Sequence, residues 1–277
     1  MNAQYLKVHS SIIYPVKSAG GIQLQSNVTV VPTGLDQDRS IMLVEPKTGM
    51  MISQRKDSKL ALVKTEIMGK MLRVSTPDGQ VLPINLYTLP SESLTPIEVT
   101  VHDDVFRIVI APEIISLWFS TYLERDVIAC YFPRQQERVR ETSSVDKPFE
   151  VSGADGYPIH LISTASIRDL NERIGYASEP MTIDRFRPNI VIENCEPYFE
   201  DTQRTLKIGS AIIKWAKCTP RCHITLVNQQ TARKGKEPLR TLADYKTRED
   251  GKTVLGSYWV VTQPGTFNVG DPVLVLE

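Results

Sequence analysis

From Tyr5 to about Thr100 the chain is cut into short runs of β-branched and apolar residues, at 8–16, 28–31, 40–45, 50–53, 60–67, 71–76, 81–84 and 97–101. Pro32-Thr33-Gly34, Pro46-Lys47-Thr48-Gly49 and Thr76-Pro77-Asp78-Gly79 supply reversals between them. Many short strands separated by turns are the pattern of a barrel or sandwich. Convincing helical spacing arrives only at 112–123, where Ile114, Ile115, Trp118, Phe119 and Leu123 recur on one face. Later come a strand at 159–163 and a helix capped by Thr164 that runs through Ile167, Leu170 and Ile174. Strands over 190–192 and 256–261, a turn at Gly209-Ser210 followed by a β-rich run to Trp215, a short helical lead-in within 233–245 and a closing hairpin at 265–272 complete the pattern. The fold class is mainly β with some α.

At 277 residues the chain is long enough for one large or two modest domains, each with its own core. Lys plus Arg equals Asp plus Glu at 32 each, so no global charge draws it to nucleic acid or to a membrane surface. Residues 1–7 lack the basic-then-apolar pattern of a secretory signal, and no apolar run approaches the ~20 residues needed to span a bilayer. These features predict a cytoplasmic protein whose cysteines, at 130, 195, 218 and 222, stay reduced.

The densest chemistry lies in Trp215-Ala216-Lys217-Cys218-Thr219-Pro220-Arg221-Cys222-His223-Ile224-Thr225, which holds two thiols, two cations and an imidazole. Pro220 removes a backbone donor and predicts a turn over 217–221 at a strand end. Free cysteine is usually a small buried hydrophobe. Beside Arg221, however, Cys222 is placed for use as a thiolate, either a nucleophile or a soft-metal ligand. No second Cys/His pair follows at finger distance, so a metal here would draw its other ligands from elsewhere.

Other candidates could bind anions. Lys17-Ser18-Ala19-Gly20-Gly21 reads as a plain turn between strands or as one in which a lysine and a hydroxyl grip an oxyanion, and Arg39 and Arg55 are further cations on strands whose default reading is surface salt-bridge partners. Ser163, Thr164 and Ser166 stand at a helix start, which reads equally as a plain N-cap or as an anion site. In Arg185-Phe186-Arg187-Pro188-Asn189 the proline holds Arg187 extended, so alternation places Arg187 and Asn189 on one strand face and Phe186 on the other. The polar stretch 134–156 reads as a loop, either simply solvated or closing over a cleft. His160 is expected to pack within its strand, as is Tyr258.

Taken in order, several of these segments resemble one family. Arg185 through Val191, Arg221-Cys222 with Thr225, and Pro264-Gly265-Thr266-Phe267-Asn268-Val269-Gly270-Asp271-Pro272-Val273 are similar to the MOSC domain of molybdenum-cofactor proteins. Tyr14-Pro15-Val16-Lys17-Ser18 and Gly34-Leu35-Asp36-Gln37-Asp38-Arg39 resemble the β-barrel domain that precedes it in YcbX-like proteins and mitochondrial amidoxime-reducing components. The resemblance implies an N-terminal β-barrel-like domain at 1–125 and a MOSC β-barrel domain with peripheral helices at 126–277. It further implies an oxidoreductase that binds a molybdopterin cofactor and reduces N-hydroxylated or N-oxide substrates, with electrons from a separate ferredoxin-, flavin- or cytochrome-type protein. By the same resemblance Cys222 is the molybdenum ligand and Tyr258 a catalytic group beside it. Lys17, Ser18, Arg39, Arg55, Ser163, Thr164, Ser166, Arg187, Asn189 and Arg221 become cofactor-binding residues.

Two departures stand out. Relatives carry Cys-x-Arg-Cys, whereas here the first thiol is shifted back to Cys218, which is read as dispensable. Relatives also carry a Val-Asp-Pro-type segment where this chain has Val227-Asn228-Gln229-Gln230-Thr231. The ferredoxin domain that some bacterial relatives append is expected to be missing here, so that electrons would come from another protein. The alternative within the resemblance is a cofactor carrier or sulfur-transfer module, since MOSC domains also end the pyridoxal-dependent cofactor sulfurases; 277 residues leave no room for such a pyridoxal domain. A blander alternative is a degenerate domain that holds an anion but no metal.

Overall fold

Ile159-His160-Leu161-Ile162-Ser163 is buried along its whole length, and in the computed structural model, which describes residues 5–86, 95–132, 138–175, 179–202 and 204–276, it is an inner strand of the largest sheet. Ser163 accepts the backbone N–H of Ser166 and opens the helix Thr164–Ile174, which ends at Gly175 with φ of 67°. The chain then returns as the strand Ile190–Glu193, parallel to Ile159–Ser163; every other pairing in the sheet is antiparallel. Across this eight-stranded sheet the order is Ile22–Leu24, Lys7–Ile13, Ile190–Glu193, Ile159–Ser163, Val254–Gln263, Ala211–Pro220, Thr205–Ile208, Val273–Val275.

Strand alternation sorts the core. Leu161, Ile190, Ile192 and Trp259 pack on one face with Val8, Ile13, Val30 and Phe267, while Ile162 and Val191 pack on the other with Leu170, Ile174 and Phe186. The first strands of the chain are thus built into a sheet otherwise made by strands between Ile159 and Val275. Strand Val28–Val31 likewise pairs with Gly265–Phe267. The remaining N-terminal strands form a four-stranded sheet (Ile41–Val44, Ile128–Tyr131, Asp104–Ile110, Pro96–Val101) and a three-stranded one (Lys64–Met68, Met71–Ser75, Val81–Asn85). These share a core of Val16, Ile41, Leu43, Leu60, Leu72 and Phe119, the last from the helix Glu113–Leu123.

The mainly-β reading holds, and the helices near 112–123, 164–174 and 239–245 form. Four local expectations are corrected. The strand Ala211–Pro220 does not turn at 217: irregularities between Trp215 and Lys217 and between Cys218 and Pro220 absorb the proline, and Arg221 N–H still reaches the Thr253 carbonyl at 2.8 Å. Arg187 is not on a strand. It ends the 3-10 turn Ile183–Phe186 in the left-handed region, φ 54°. The stretch 134–156, of which 134–137 lie outside the described residues, is no plain loop, because Val139–Arg140 and Phe149–Glu150 pair and Arg138 is buried against Asp104. The segment 265–272 is not a self-contained hairpin, since its strand pairs with Val28–Val31.

Candidate functional site

The turn after the first strand is tight enough to put Ser18 at φ 71°, and it buries Lys17 at the edge of a cleft of about 390 Å³. The N-terminal part contributes Lys17, Ser18 and Arg39 to the lining, and the 185–189 run contributes Arg187 and Asn189. Arg221 and Cys222, just past the end of Ala211–Pro220, and Tyr258 of Val254–Gln263 complete it on the far side. Eight residues singled out in the sequence therefore meet in one place. Arg140 and Lys217 join them, so six cations (Lys17, Arg39, Arg140, Arg187, Lys217, Arg221) line the cleft with one carboxylate, Asp155. Such an excess of positive charge favours an anionic ligand.

Backbone carbonyls do much of the anchoring of these cations. Lys17 Nζ donates to the Gly153 carbonyl at 2.8 Å and pairs with Asp155; burial lowers its pKa against that partner. Asp155 would be pushed up by burial, but Lys17, with His102 3.3 Å from its other oxygen, holds it well below the usual carboxylate range. Arg39 pairs with Asp38 and donates to the Arg187 carbonyl at 3.1 Å. Arg187 Nη1 donates to the Ala19 carbonyl at 2.7 Å, and its Nη2 is buried without a partner among the described residues. Burial brings its pKa down to about 10, so it stays charged at neutral pH. The ring of Tyr14 separates the two guanidinia, with Arg39 Cζ 4.5 Å and Arg187 Cζ 4.1 Å from its centroid.

Arg221 is fixed by three acceptors: the Phe186 carbonyl at 3.1 Å, the Leu255 carbonyl at 3.3 Å and His160 Nε2 at 3.2 Å. Its Nε is buried and unpartnered among the described residues. His160 lies packed within its strand as expected, and it also lines the cleft. Burial, then the neighbouring Arg221 charge, lowers its pKa well below the ordinary imidazole value, so it remains neutral and accepts from Arg221. Gly256 (φ 70°) makes room for it, since a Cβ there would lie 2.6 Å from His160 Nε2.

Cys222 is partly exposed in the cleft, just before the 3-10 turn His223–Leu226; its carbonyl accepts both the N–H (3.1 Å) and the hydroxyl (3.0 Å) of Thr225. Cys218 is buried away from it, 3.4 Å from Arg248 Nη1, in a separate pocket with Trp215 and Lys252. Tyr258 stacks on Tyr157 with centroids 4.9 Å apart and meets His160 edge-on; burial raises its pKa, so its hydroxyl keeps its proton.

The other predicted residues lie elsewhere or are already engaged. Arg55 does not line the cleft but reaches its rim through His102, 3.2 Å away. Asn189 borders the cleft with its amide committed to the Ile12 carbonyl (3.2 Å) and the His160 N–H (3.1 Å). Ser163, Thr164 and Ser166 do not line it. At that helix start an internal acceptor is already in place: Glu200, buried so that its pKa is raised, accepts the Ser163 N–H at 3.1 Å, and the two serine hydroxyls lie 2.7 Å apart. Sequence reasoning missed Tyr14, Asp155, Tyr157 and the reciprocal amide pair Gln54–Gln229, each bond 3.0 Å; Gln54 also holds the Ser18 carbonyl at 2.7 Å. Gln229 stands in the segment that departs from the acidic pattern, and its neutral amide is what that pairing requires. Among the described residues no three His, Cys, Asp or Glu side chains cluster as a metal cage.

Sheet and cleft together define a two-part β protein whose site is shared between the parts, and the comparisons give that class its description. Residues 5–126 match the family model of the MOSC N-terminal beta barrel domain, and residues 148–274 that of the MOSC domain. The mitochondrial amidoxime reducing component 2 of Rattus norvegicus is 32% identical over 285 residues, covering 94% of this chain and 80% of that protein. The corresponding protein of Bos taurus is 31% identical over 94% of this chain and 80% of its own length, and component 1 of Homo sapiens 29% identical over 95% and 81%. The chain belongs to this amidoxime-reducing-component family of MOSC proteins.

Proposed function

We propose that the protein is a molybdenum-cofactor-dependent reductase of N-hydroxylated or N-oxide substrates, with Cys222 as the protein's ligand to molybdenum and electrons delivered by a separate redox protein. The observation that carries this reading is the pairing of one accessible thiol with six cations in a single cleft, where Arg187 Nη2 and Arg221 Nε are buried donors still lacking acceptors among the described residues. The names of the relatives supply the substrate class.

The residues present fit a phosphate-bearing, sulfur-ligated group. Lys17, Arg39 and Arg187 would hold its phosphate, and Arg221 its more polar edge, by charge-assisted hydrogen bonds. The thiolate of Cys222 would be the soft protein ligand. When bound, the cofactor supplies two-electron redox chemistry at an open metal position, which side chains cannot provide. Around it the chain positions and insulates. His160, neutral, keeps Arg221 in place without competing for the anion. Tyr258, protonated, offers a hydroxyl donor from a ring braced on Tyr157. In the net reaction an N–OH group, two electrons and two protons become N–H and water.

Elemental analysis of protein made in a cofactor-competent host, combined with amidoxime reduction by a chemical donor, tests the reading. Stoichiometric molybdenum with turnover supports the reductase, metal without turnover the carrier, and no metal sinks both. Cys222→Ala is expected to abolish turnover, and Cys218→Ala to retain most of it at a stability cost of about 1 kcal/mol. The reverse ranking would remove Cys222 from its role.

A further inference from the structure

Arg185 opens the Arg-Phe-Arg-Pro-Asn run, yet it takes no part in the cofactor cleft. Its neighbours Phe186 and Arg187 line that cleft, but the 3-10 turn Ile183–Phe186 directs Arg185 into a different cavity of about 310 Å³, with Glu179, Met181, Gly235, Lys236, Glu237 and Arg240. Arg185 is 6% exposed, and its side chain makes no hydrogen bond or ion pair among the described residues. The carboxylates beside it have partners of their own, although Glu237 Oε1, ion-paired with Arg240, is buried without a hydrogen bond among the described residues. Glu237 pairs with Arg240 Nε at 2.7 Å and accepts the Thr241 N–H at 3.1 Å, and Glu179 accepts from Asn228 Nδ2 at 3.2 Å.

The Arg185 guanidinium has no protein acceptor among the described residues yet none of its nitrogens is sealed from water, so it is open to a ligand, and its flat fork matches the two oxygens of an oxyanion. Three cations (Arg185, Lys236, Arg240) against two carboxylates leave one positive charge in the cavity. Its volume sits at the small end of small-molecule sites. We infer that this cavity is a second anion-binding site, distinct from the cofactor cleft, in which Arg185 takes a small oxyanion, a carboxylate or phosphate, with Lys236 beside it. Burial works against the Arg185 charge, which Asp184 and Glu179 only partly support, and this agrees with that geometry.

The Arg185 Nε–Hε resonance, read by NMR in the full-length protein during titration with acetate and, separately, inorganic phosphate, tests the site against sodium chloride at matched ionic strength. A saturable shift with either oxyanion, absent with chloride, is expected, and the stronger response tells carboxylate from phosphate. The resonances of Arg187 and Arg221 report the cleft independently, so failure at one site leaves the other readable. Arg185→Lys, which keeps the charge and loses the fork, should weaken the oxyanion by about tenfold. A wild-type Arg185 resonance that moves no further with acetate or phosphate than with chloride overturns the inference, and that measurement needs no variant to fold.

Discussion

His160 is the residue whose chemistry the tertiary structure changes most. An ordinary imidazole titrates near about 6.5, and here burial and Arg221 hold it well below that. As pH falls through about 6.5 the unfolded chain binds a proton that the folded one refuses. Its contribution to stability is therefore complete above about pH 6.5 and is lost on acidification, by about 1.4 kcal/mol per pH unit, until the folded imidazole titrates. Urea denaturation between about pH 7.5 and about pH 5.5 should show His160→Asn with a shallower loss than wild type; equal slopes would mean that the buried imidazole is protonated after all. Little of this was legible at residue scale. Lys17, Arg39 and Arg187 were singled out through the family resemblance, since their residue types alone read as turn or salt-bridge groups, and Cys222 through that resemblance and the cation beside it. His160, Asp155 and Tyr14 were not, because a buried neutral imidazole, a counter-ion and a ring between two guanidinia act only through neighbours distant in the chain.

Among the elements, the helix Thr164–Ile174 shows local rules deciding an outcome. Its start reads as either a cap or an anion site, and Glu200 fills the position an outside anion would take. Ser163→Ala should consequently lower stability by about 1 to 2 kcal/mol, read by denaturant titration, while molybdenum content per folded protein stays at the wild-type level. A variant of normal stability that loses metal would return Ser163 to the cofactor. The strand Ala211–Pro220 and the turn Ile183–Phe186 show the opposite case. Proline argued for a turn in the first and extension before proline argued for a strand in the second; sheet pairing with Val254–Gln263 overrode one, and the left-handed end of a 3-10 turn replaced the other. In the first, non-local ladder bonds outweighed a local preference of the order of 1 kcal/mol; in the second, a competing local bond, from the Arg187 N–H to the Asp184 carbonyl at 3.2 Å, closed the turn.

At the scale of the whole molecule, the first strands complete the last sheet. Lys7–Ile13 pairs with Ile190–Glu193, Val28–Val31 pairs with Gly265–Phe267, and Val8, Ile13, Val28 and Val30 share a core with Leu161, Trp259 and Phe267. A fragment of residues 126–277 alone would expose that apolar face and the edge of Ile190–Glu193. It should give no cooperative urea transition by circular dichroism; a sharp transition would show that the N-terminal strands are dispensable to the core. The amino-acid order by itself determined that the chain is mainly β, where the three α-helices among the described residues lie, and which charged and thiol side chains were candidates for a site, because periodicity, turn residues and residue type are local properties. Which of those side chains meet, that Arg187 sits in a turn, that Glu200 closes the helix start and that Arg185 faces a cavity of its own were decided only by the folded sheet. Contacts between Lys17 and Gly153, or Arg187 and Ala19, join positions more than a hundred residues apart, and no local pattern encodes a distance that only packing sets.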